Sequence, residues 1–513
     1  MGNLGKIKTV KPSIILLALL SFILSGCAAS NRNMSDVAKQ LRHNLPVETA
    51  VTKLETIKVE SQSTAQHQLN LGYLQLISGD YQNALINFEQ AKQTMESLQA
   101  ISLSENLSSA TVNETFRSYS GWPTDQVLVH GMMAMAYLLN GDLNGARVEI
   151  LQADVRMNKL AEADKTTGQL AFVRYLAGVV YELNGEIDSA LISYRMALGI
   201  LHSRSEAIPP SLQQSLIDLT ARIGLKKESQ KYQTTFHLAV SKPHKHKQFI
   251  FAFDGVVTQM QQAKSTLWWD IDDVYLSVAL PKFPRNNYVA SNAYIHTQDG
   301  ETVTQPIENI ENRAREDLQA RMPAITAMAL ARAGTKYQTV KELNKKDNVL
   351  GAFANVLTII SEVADLRHWS MLPSSIQIAT SYEATTTLQL SSRYGQQVLD
   401  VSNHSQQMLP DNENDYIENS INDATTADTA ATKKSTSAPQ STEQESAEGL
   451  IAKQQVTMSR AAQARASNTA PLRVRPMPVR KSKASIAQIN NSAKKNAVIL
   501  LSSLTSKIHI ASF

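Results

Sequence analysis

The chain has 513 residues, a formal charge of +4 and one cysteine. One cysteine excludes an internal disulfide and any metal site built on several thiolates. Setting aside the three lysines before residue 27 leaves about +1, which gives no global electrostatic case for nucleic acid, and the length allows two or three domains.

Residues 1–26 read as an export signal. Lys6, Lys8 and Lys11 precede an apolar run from Ile14 to Leu24, with no acid before Cys27. The run falls well short of the roughly twenty residues that span a bilayer and suits a signal core. Its ending, Leu24-Ser25-Gly26-Cys27, resembles the lipobox of bacterial lipoproteins, with Leu24 in the apolar position, Ser25 and Gly26 in the small positions and Cys27 as the acylated thiol. That resemblance implies cleavage before Cys27 and a membrane anchor of two or three acyl chains, since one chain binds only marginally. In the lipoproteins it resembles, Asp after the cysteine favours the inner membrane, so the resemblance with Ala28 implies the outer membrane, facing the periplasm. The alternative is an ordinary secretory signal with an incidental cysteine. Residues 27–60 are expected to tether the anchor to the folded part.

A pattern recurs over residues 61–240. Gly72 precedes Gly79-Asp80, followed by Ala84, Phe88 and Ala91; Ala134 precedes Gly141-Asp142, followed by Ala146, Ile150 and Ala153; Gly178 precedes Gly185-Glu186, followed by Ala190, Tyr194 and Ala197. Each turn glycine has small residues five and twelve positions later and a bulky one nine later, the spacing of one helix face across a tight helix–helix crossing. This resembles the tetratricopeptide repeat. The turn glycines lie 62 and 44 residues apart, so the units are not tandem 34-residue repeats; 96–125 reads as an inserted loop or extra helices, and Leu212–Tyr232 as a degenerate fourth unit. A generic bundle with Gly-Asp turns is the alternative. Stacked units of this kind predict a solenoid with a groove for envelope proteins.

After the polar hinge at 241–247, residues 245–400 read as an α+β domain. Strands are expected at 249–253, 274–280, 289–297, 376–380 and 386–390, and helices at 309–332 and 349–366. His244 and His246 have a spacing that could bind a metal, but Lys245 and Lys247 would repel it and a linker is expected. The Asp270, Asp272, Asp273 cluster lacks the Gly and the distant Glu of a calcium loop; no metal and no cofactor is expected. Asp365 and Arg367 can brace a turn over Trp369, either as a binding turn for sugar or peptide or as a structural corner. The lipobox, the repeats, Leu280-Pro-Lys-Phe-Pro284 and Asp365-Leu-Arg-His-Trp369 followed by Leu372-Pro373 together resemble a family of Gram-negative outer-membrane lipoproteins with tetratricopeptide-type repeats, from about residue 20 to 395. The resemblance implies fold and location and no reaction.

Residues 401–513 read as a low-complexity, mostly disordered tail. Nine acids and two lysines fill 411–448, and eleven basic residues without an acid fill 451–513, a segment suited to peptidoglycan or an anionic surface. Short strands are possible at 497–501 and 508–513. No nucleophile elbow, phosphate loop or zinc-protease motif occurs. The fold class expected is an α-helical repeat solenoid, then an α+β domain, then a disordered tail. The function expected is a lipid-anchored, non-enzymatic envelope adaptor, with a peptidoglycan-binding module or wall-modifying hydrolase as the alternative.

Overall fold

The computed structural model describes residues 30–102, 117–162, 164–242, 247–269, 274–286, 288–297, 300–346, 363–382, 387–392, 395–400 and 496–513. Helix α1 covers 30–42 and α2 Val47–Thr56. Met34, Val37, Ala38 and Leu41 fall at i, i+3, i+4 and i+7, and all four are buried. The tether expected at 27–60 is therefore corrected: an amphipathic helix finds a partner and packs. Gln66 donates to Asn31 Oδ1 (3.0 Å), and Arg42 Nη2 reaches Val256 O (2.8 Å).

Four antiparallel helix pairs follow: α3 (Thr64–Ser78) with α4 (Tyr81–Ser102), α5 (Pro123–Leu139) with α6 (Leu143–Ala161), α7 (Ala171–Leu183) with α8 (Ile187–Ser203), and α9 (Pro210–Arg222) with α10 (Lys226–Phe236). Each pair packs on the next. One capping geometry closes the first helix of all four. Gly79, Gly141, Gly185 and Gly224 take positive φ, and the amide after each donates to the carbonyl five residues back: Asp80 to Gln75, Asp142 to Tyr137, Glu186 to Tyr181 and Leu225 to Thr220, at 2.8–2.9 Å. The degenerate fourth unit thus forms. Of the expected insertion, 96–102 continues α4, 117–122 is a loop leading into α5, and 103–116 lies outside the described residues.

The small-then-bulky pattern has a direct cause. A Cβ on Gly72 would lie 2.8 Å from the Phe88 ring, and one on Gly178 would collide with the Tyr194 ring. In the first three pairs the residue seven before the turn glycine is small, and at Gly72 and Gly178 the cause is that the bulky residue nine after the turn folds back over that spot. Gly72→Ala is expected to destabilise by about 1–3 kcal/mol through overpacking. Urea denaturation checks this, and a gain in stability, as for an open helical Gly→Ala, would contradict it.

A five-stranded sheet lies against the helices, in the order β11-β10-β1-β7-β6: β1 is Gln248–Asp254, β6 Gln305–Glu308, β7 Ser375–Ser381, β10 Ala497–Ser502 and β11 Ile508–Ser512. β10 runs parallel to β1; the other pairings are antiparallel. All seven β1 residues are buried. Phe249, Phe251 and Phe253 join the helical core with Val498, Leu500, Ile376 and Ile378, while Ile250, Ala379, Ala497, Ile499 and Ile510 pack on the other side with Ile295. Coverage on both faces explains the unbroken apolar run in β1. The expected tail is corrected at its end: residues 497–502 and 508–512 are strands, because β1 leaves an edge that apolar residues can pair and cover. The rest of the tail, 401–495, lies outside the described residues.

Two further pieces complete the described part. A ribbon joins β2 (Gln261–Trp269) to β3 (Val274–Lys282), and a smaller sheet runs β5-β4-β8-β9 (Gly300–Val303, Tyr294–Thr297, Thr387–Ser392, Gly395–Asp400). Helix α11 spans Ile310–Lys346 through Pro323 and packs on β3. It outruns the helix expected at 309–332, while the third expected strand shrinks to β4. Of the helix expected at 349–366, residues 363–366 are not helical and 349–362 lie outside the described residues.

Candidate functional site

A partner groove was expected without a helix face assigned to it, and the first helices α3, α5, α7 and α9 form one face of the stack. That face holds the chain's own sheet. Tyr73 of α3 stacks on Phe253, with ring centroids 6.2 Å apart; Phe172 of α7 meets Phe251 and Phe253 edge-on at 6.1 Å; Tyr175 meets Phe251 at 6.0 Å. From β11, His509 Nε2 donates to Ile77 O (2.9 Å), and its Nδ1 accepts from Tyr81 OH (2.7 Å). Lys247 Nζ bridges to Glu182 at 2.9 Å and to Ser215 of α9 at 3.2 Å.

Carboxylates from the sheet side finish two of these helices. The amide groups that begin a helix have no acceptor within it and carry a partial positive charge. Glu308 of β6, fully buried, accepts from Ala171 N (2.7 Å) at the start of α7 and pairs with Arg204 (3.0 Å) and Arg313 (3.4 Å). Asp317 of α11 accepts from Thr124 N (3.0 Å) at the start of α5, and Asp125 accepts from Trp122 N (3.1 Å) and Tyr119 OH. Burial pushes Asp125 up to about 6 and Asp317 up to about 7, against the pull of those donors. Both folded values lie above the usual carboxyl value of about 4, so their contribution to stability is complete below about pH 4 and is lost as pH rises through 6 and 7. Asp317→Asn keeps an acceptor for Thr124 and should remove the Asp317 part of that slope. Urea midpoints of variant and parent at pH 5 and pH 7.5 test it; equal pH dependence in the two proteins contradicts it.

The turn at 365–369 closes against the helices. Arg367 forks onto Asp365 (2.9 and 2.6 Å), as its spacing suggested, and its third donor reaches Gln62 O at 2.7 Å. Trp369 is 1% exposed and meets Phe88 edge-on at 5.8 Å. The structural-corner alternative describes this geometry, since no face of the Trp is open to a sugar. Beside it, Trp122, Asp125, Asp317, His368 and Trp369 line a cavity of about 10 Å³, room for one water at most.

A larger cavity, about 210 Å³, separates the α8–α9 loop from β6 and is lined by Leu201, Ile208, Pro209, Gln305, Ile307 and Asn312 among others. Among the described residues, no group of three His, Cys, Asp or Glu is placed to hold a metal, and no helix is long and apolar enough to cross a membrane. Leu24, Ser25, Gly26 and Cys27, His244 and His246, and the Asp270–Asp273 cluster lie outside the described residues.

The second helices face outward. Ile86, Val148 and Ile192 each sit seven residues after a turn glycine, on α4, α6 and α8, and are 53%, 50% and 50% exposed. Leu151 and Val155 of α6 and Met196 of α8 are exposed as well. Arg147 forks onto Glu186 (2.6 and 3.0 Å), and Arg195 onto Glu228 (2.9 and 2.5 Å), linking consecutive pairs. The sequence carried this row at a fixed offset, but the small-residue pattern drew attention to the buried face. Nothing in the sequence marked Glu308 and Asp317 as caps for helices more than a hundred residues earlier.

No family model matches the chain, and no curated protein matches it. Among solved structures it is similar to the apo form of RapI, at 12% identity and a TM-score of 0.28, over 37% of this chain and 45% of RapI. It is also similar to MamA of AMB-1, at 15% identity and a TM-score of 0.26, covering 41% of this chain and 90% of MamA. A third is a Podosopora anserina kinesin light chain with nearly identical TPR-like repeats, at 19% and 0.27, covering 40% and 92%. This chain spans less than half of RapI. The repeat architecture rests on the four capped helix pairs themselves.

Proposed function

We propose that the protein is a lipid-anchored adaptor of the cell envelope, held in the outer membrane by Cys27 and facing the periplasm, which docks a protein partner on its outward helices. One observation carries the docking surface: the first-helix face is filled from within the chain, whereas Ile86, Val148 and Ile192 repeat an exposed apolar side chain at one position of three successive pairs. Single exposed apolar residues need no explanation, but recurrence at the same offset in three successive pairs supports this face as an interaction site. The lipobox spelling of residues 24–27 supports the anchor.

Crosslinking in intact cells, comparing the parent with the Val148→Asp, Ile192→Asp double variant, tests the docking surface. The variant should lose at least about tenfold of the captured partner while its stability moves by no more than about 0.5 kcal/mol per site, as for surface substitutions. Undiminished capture would contradict the outward surface. Cys27→Ser should leave the precursor unprocessed or free of the outer membrane, and unchanged fractionation would remove the anchor.

A further inference from the structure

The two C-terminal strands are joined to the sheet across a long stretch of chain. β9 ends at Asp400 in the smaller sheet, and the next described residue is Asn496, which begins the hairpin in the larger one. The 95 residues between them would reach on the order of 300 Å if fully extended, several times a domain's width. The hairpin is held by a surface made from early parts of the chain. β10 pairs with β1 from Gln248↔Ala497 to Phe253↔Ser502. Lys247 N donates to Asn496 Oδ1 (3.0 Å), and Gly255 N donates to Ser503 Oγ (2.8 Å). His509 bonds Tyr81 and Ile77, and Lys507 pairs with Glu48 at 2.8 Å. Val498 and Leu500 enter the helical core beside the phenylalanines of β1.

We propose that the edge of β1, with the adjoining ends of α2, α3 and α4, is a hairpin-accepting surface, and that residues 496–513 of a second copy of this chain fill it as well as the chain's own do. The residues that meet the hairpin lie at 48–81, in α5 and at 247–255, far in sequence from the connection, so the surface reads the hairpin's own chemistry: a parallel six-residue, mainly apolar strand, a returning strand, and His509 and Lys507 at fixed places. Which copy supplies it is then a matter of concentration. Donation between copies then competes with the chain's own hairpin when copies are crowded, as in exchange of identical elements between protomers.

Glu48 and Lys507 are 57% and 49% exposed, so cysteines there leave the core intact. In full-length chains carrying Cys27→Ser, one copy bears Glu48→Cys and the other Lys507→Cys; a third chain bears both. The two single variants are unfolded, mixed, refolded over a hundredfold range of concentration and joined with a bis-maleimide long enough to span the extended Lys507–Glu48 pair. The expected result is a crosslinked dimer mapped to positions 48 and 507, its fraction rising about tenfold or more with concentration, while the double variant closes on itself at low concentration. Monomer alone at every concentration, with the double variant closing normally, overturns exchange between copies. Failure of the double variant to close overturns the placement of the hairpin, and the proposal with it.

Discussion

Removing residues 496–513 should unfold the protein, even though only its last 18 residues are lost. Val498, Ile499 and Leu500 are fully buried, and Ala497 and Ile510 nearly so. Burying one such large side chain is worth about 1.5–3 kcal/mol, so the hairpin's apolar burial is on the order of 10 kcal/mol, comparable to the whole stability of a typical domain. The deletion also strips β1 of its partner along one edge and leaves Tyr81 OH and Lys247 N without their bonds. Loss of the cooperative unfolding transition, or severe aggregation, is the expected result. Leu500→Ala gives the graded form, about 2–5 kcal/mol less stable in urea, whereas Lys507→Ala, at an exposed pair, should change stability by less than about 1 kcal/mol. A deletion variant that unfolds at the parent's midpoint would show that the hairpin is not part of the core.

The second large effect is expected at Glu308. Its carboxyl is 0% exposed and serves four partners at once: the first two amides of α7, Arg204 and Arg313. Glu308→Ala leaves Arg313, 4% exposed, with Glu206 and the exposed Glu316 alone, and leaves the start of α7 uncapped. Breaking a buried pair by removing one partner costs about 3–5 kcal/mol, because the other charge stays buried. Glu308→Gln retains an acceptor for Ala171 N and should fall between the two. Burial pushes the Glu308 carboxyl above its ordinary value despite both arginines, so part of the cost of burying this charge is already present in the parent protein. Chemical denaturation of the three proteins at neutral pH gives the order parent, Gln, Ala. Equal stability of Ala and parent would mean that the clasp between β6 and α7 contributes nothing.

These effects arise at contacts that the sequence expressed unevenly. Helix pairs were legible because their signal is local: a turn glycine, a small residue seven before it and a bulky one nine after, with Gly72 and Phe88 meeting in space. β1 was legible as an apolar run and β7 by its alternation. The pairing of β1 with Val498–Ser502, some 250 residues later, was not, because strand order depends on contacts that leave no mark at either strand alone. The same applies to the candidate site. The Asp365–Arg367 fork lies two residues apart and was anticipated; its third bond, to Gln62 O, was not. An expected groove became an occupied face because Phe251 and Phe253 supply the apolar cover that Phe172 and Tyr175 require. α1 was read as part of a tether because export signals end nearby, although Met34, Val37, Ala38 and Leu41 carried helical spacing.

The account depends on one arrangement: the first-helix face and the sheet are a single core, so that a partner meets the outward helices. Native-state hydrogen exchange of the intact protein tests it most directly. Amides of β1 (Phe249–Phe253), β10 (Val498–Leu501) and α7 (Tyr175–Val180) should open together, with the same free energy as global unfolding. Rapid exchange in β1 and β10 while α7 stays protected would contradict it, and would leave the first-helix face open as a groove.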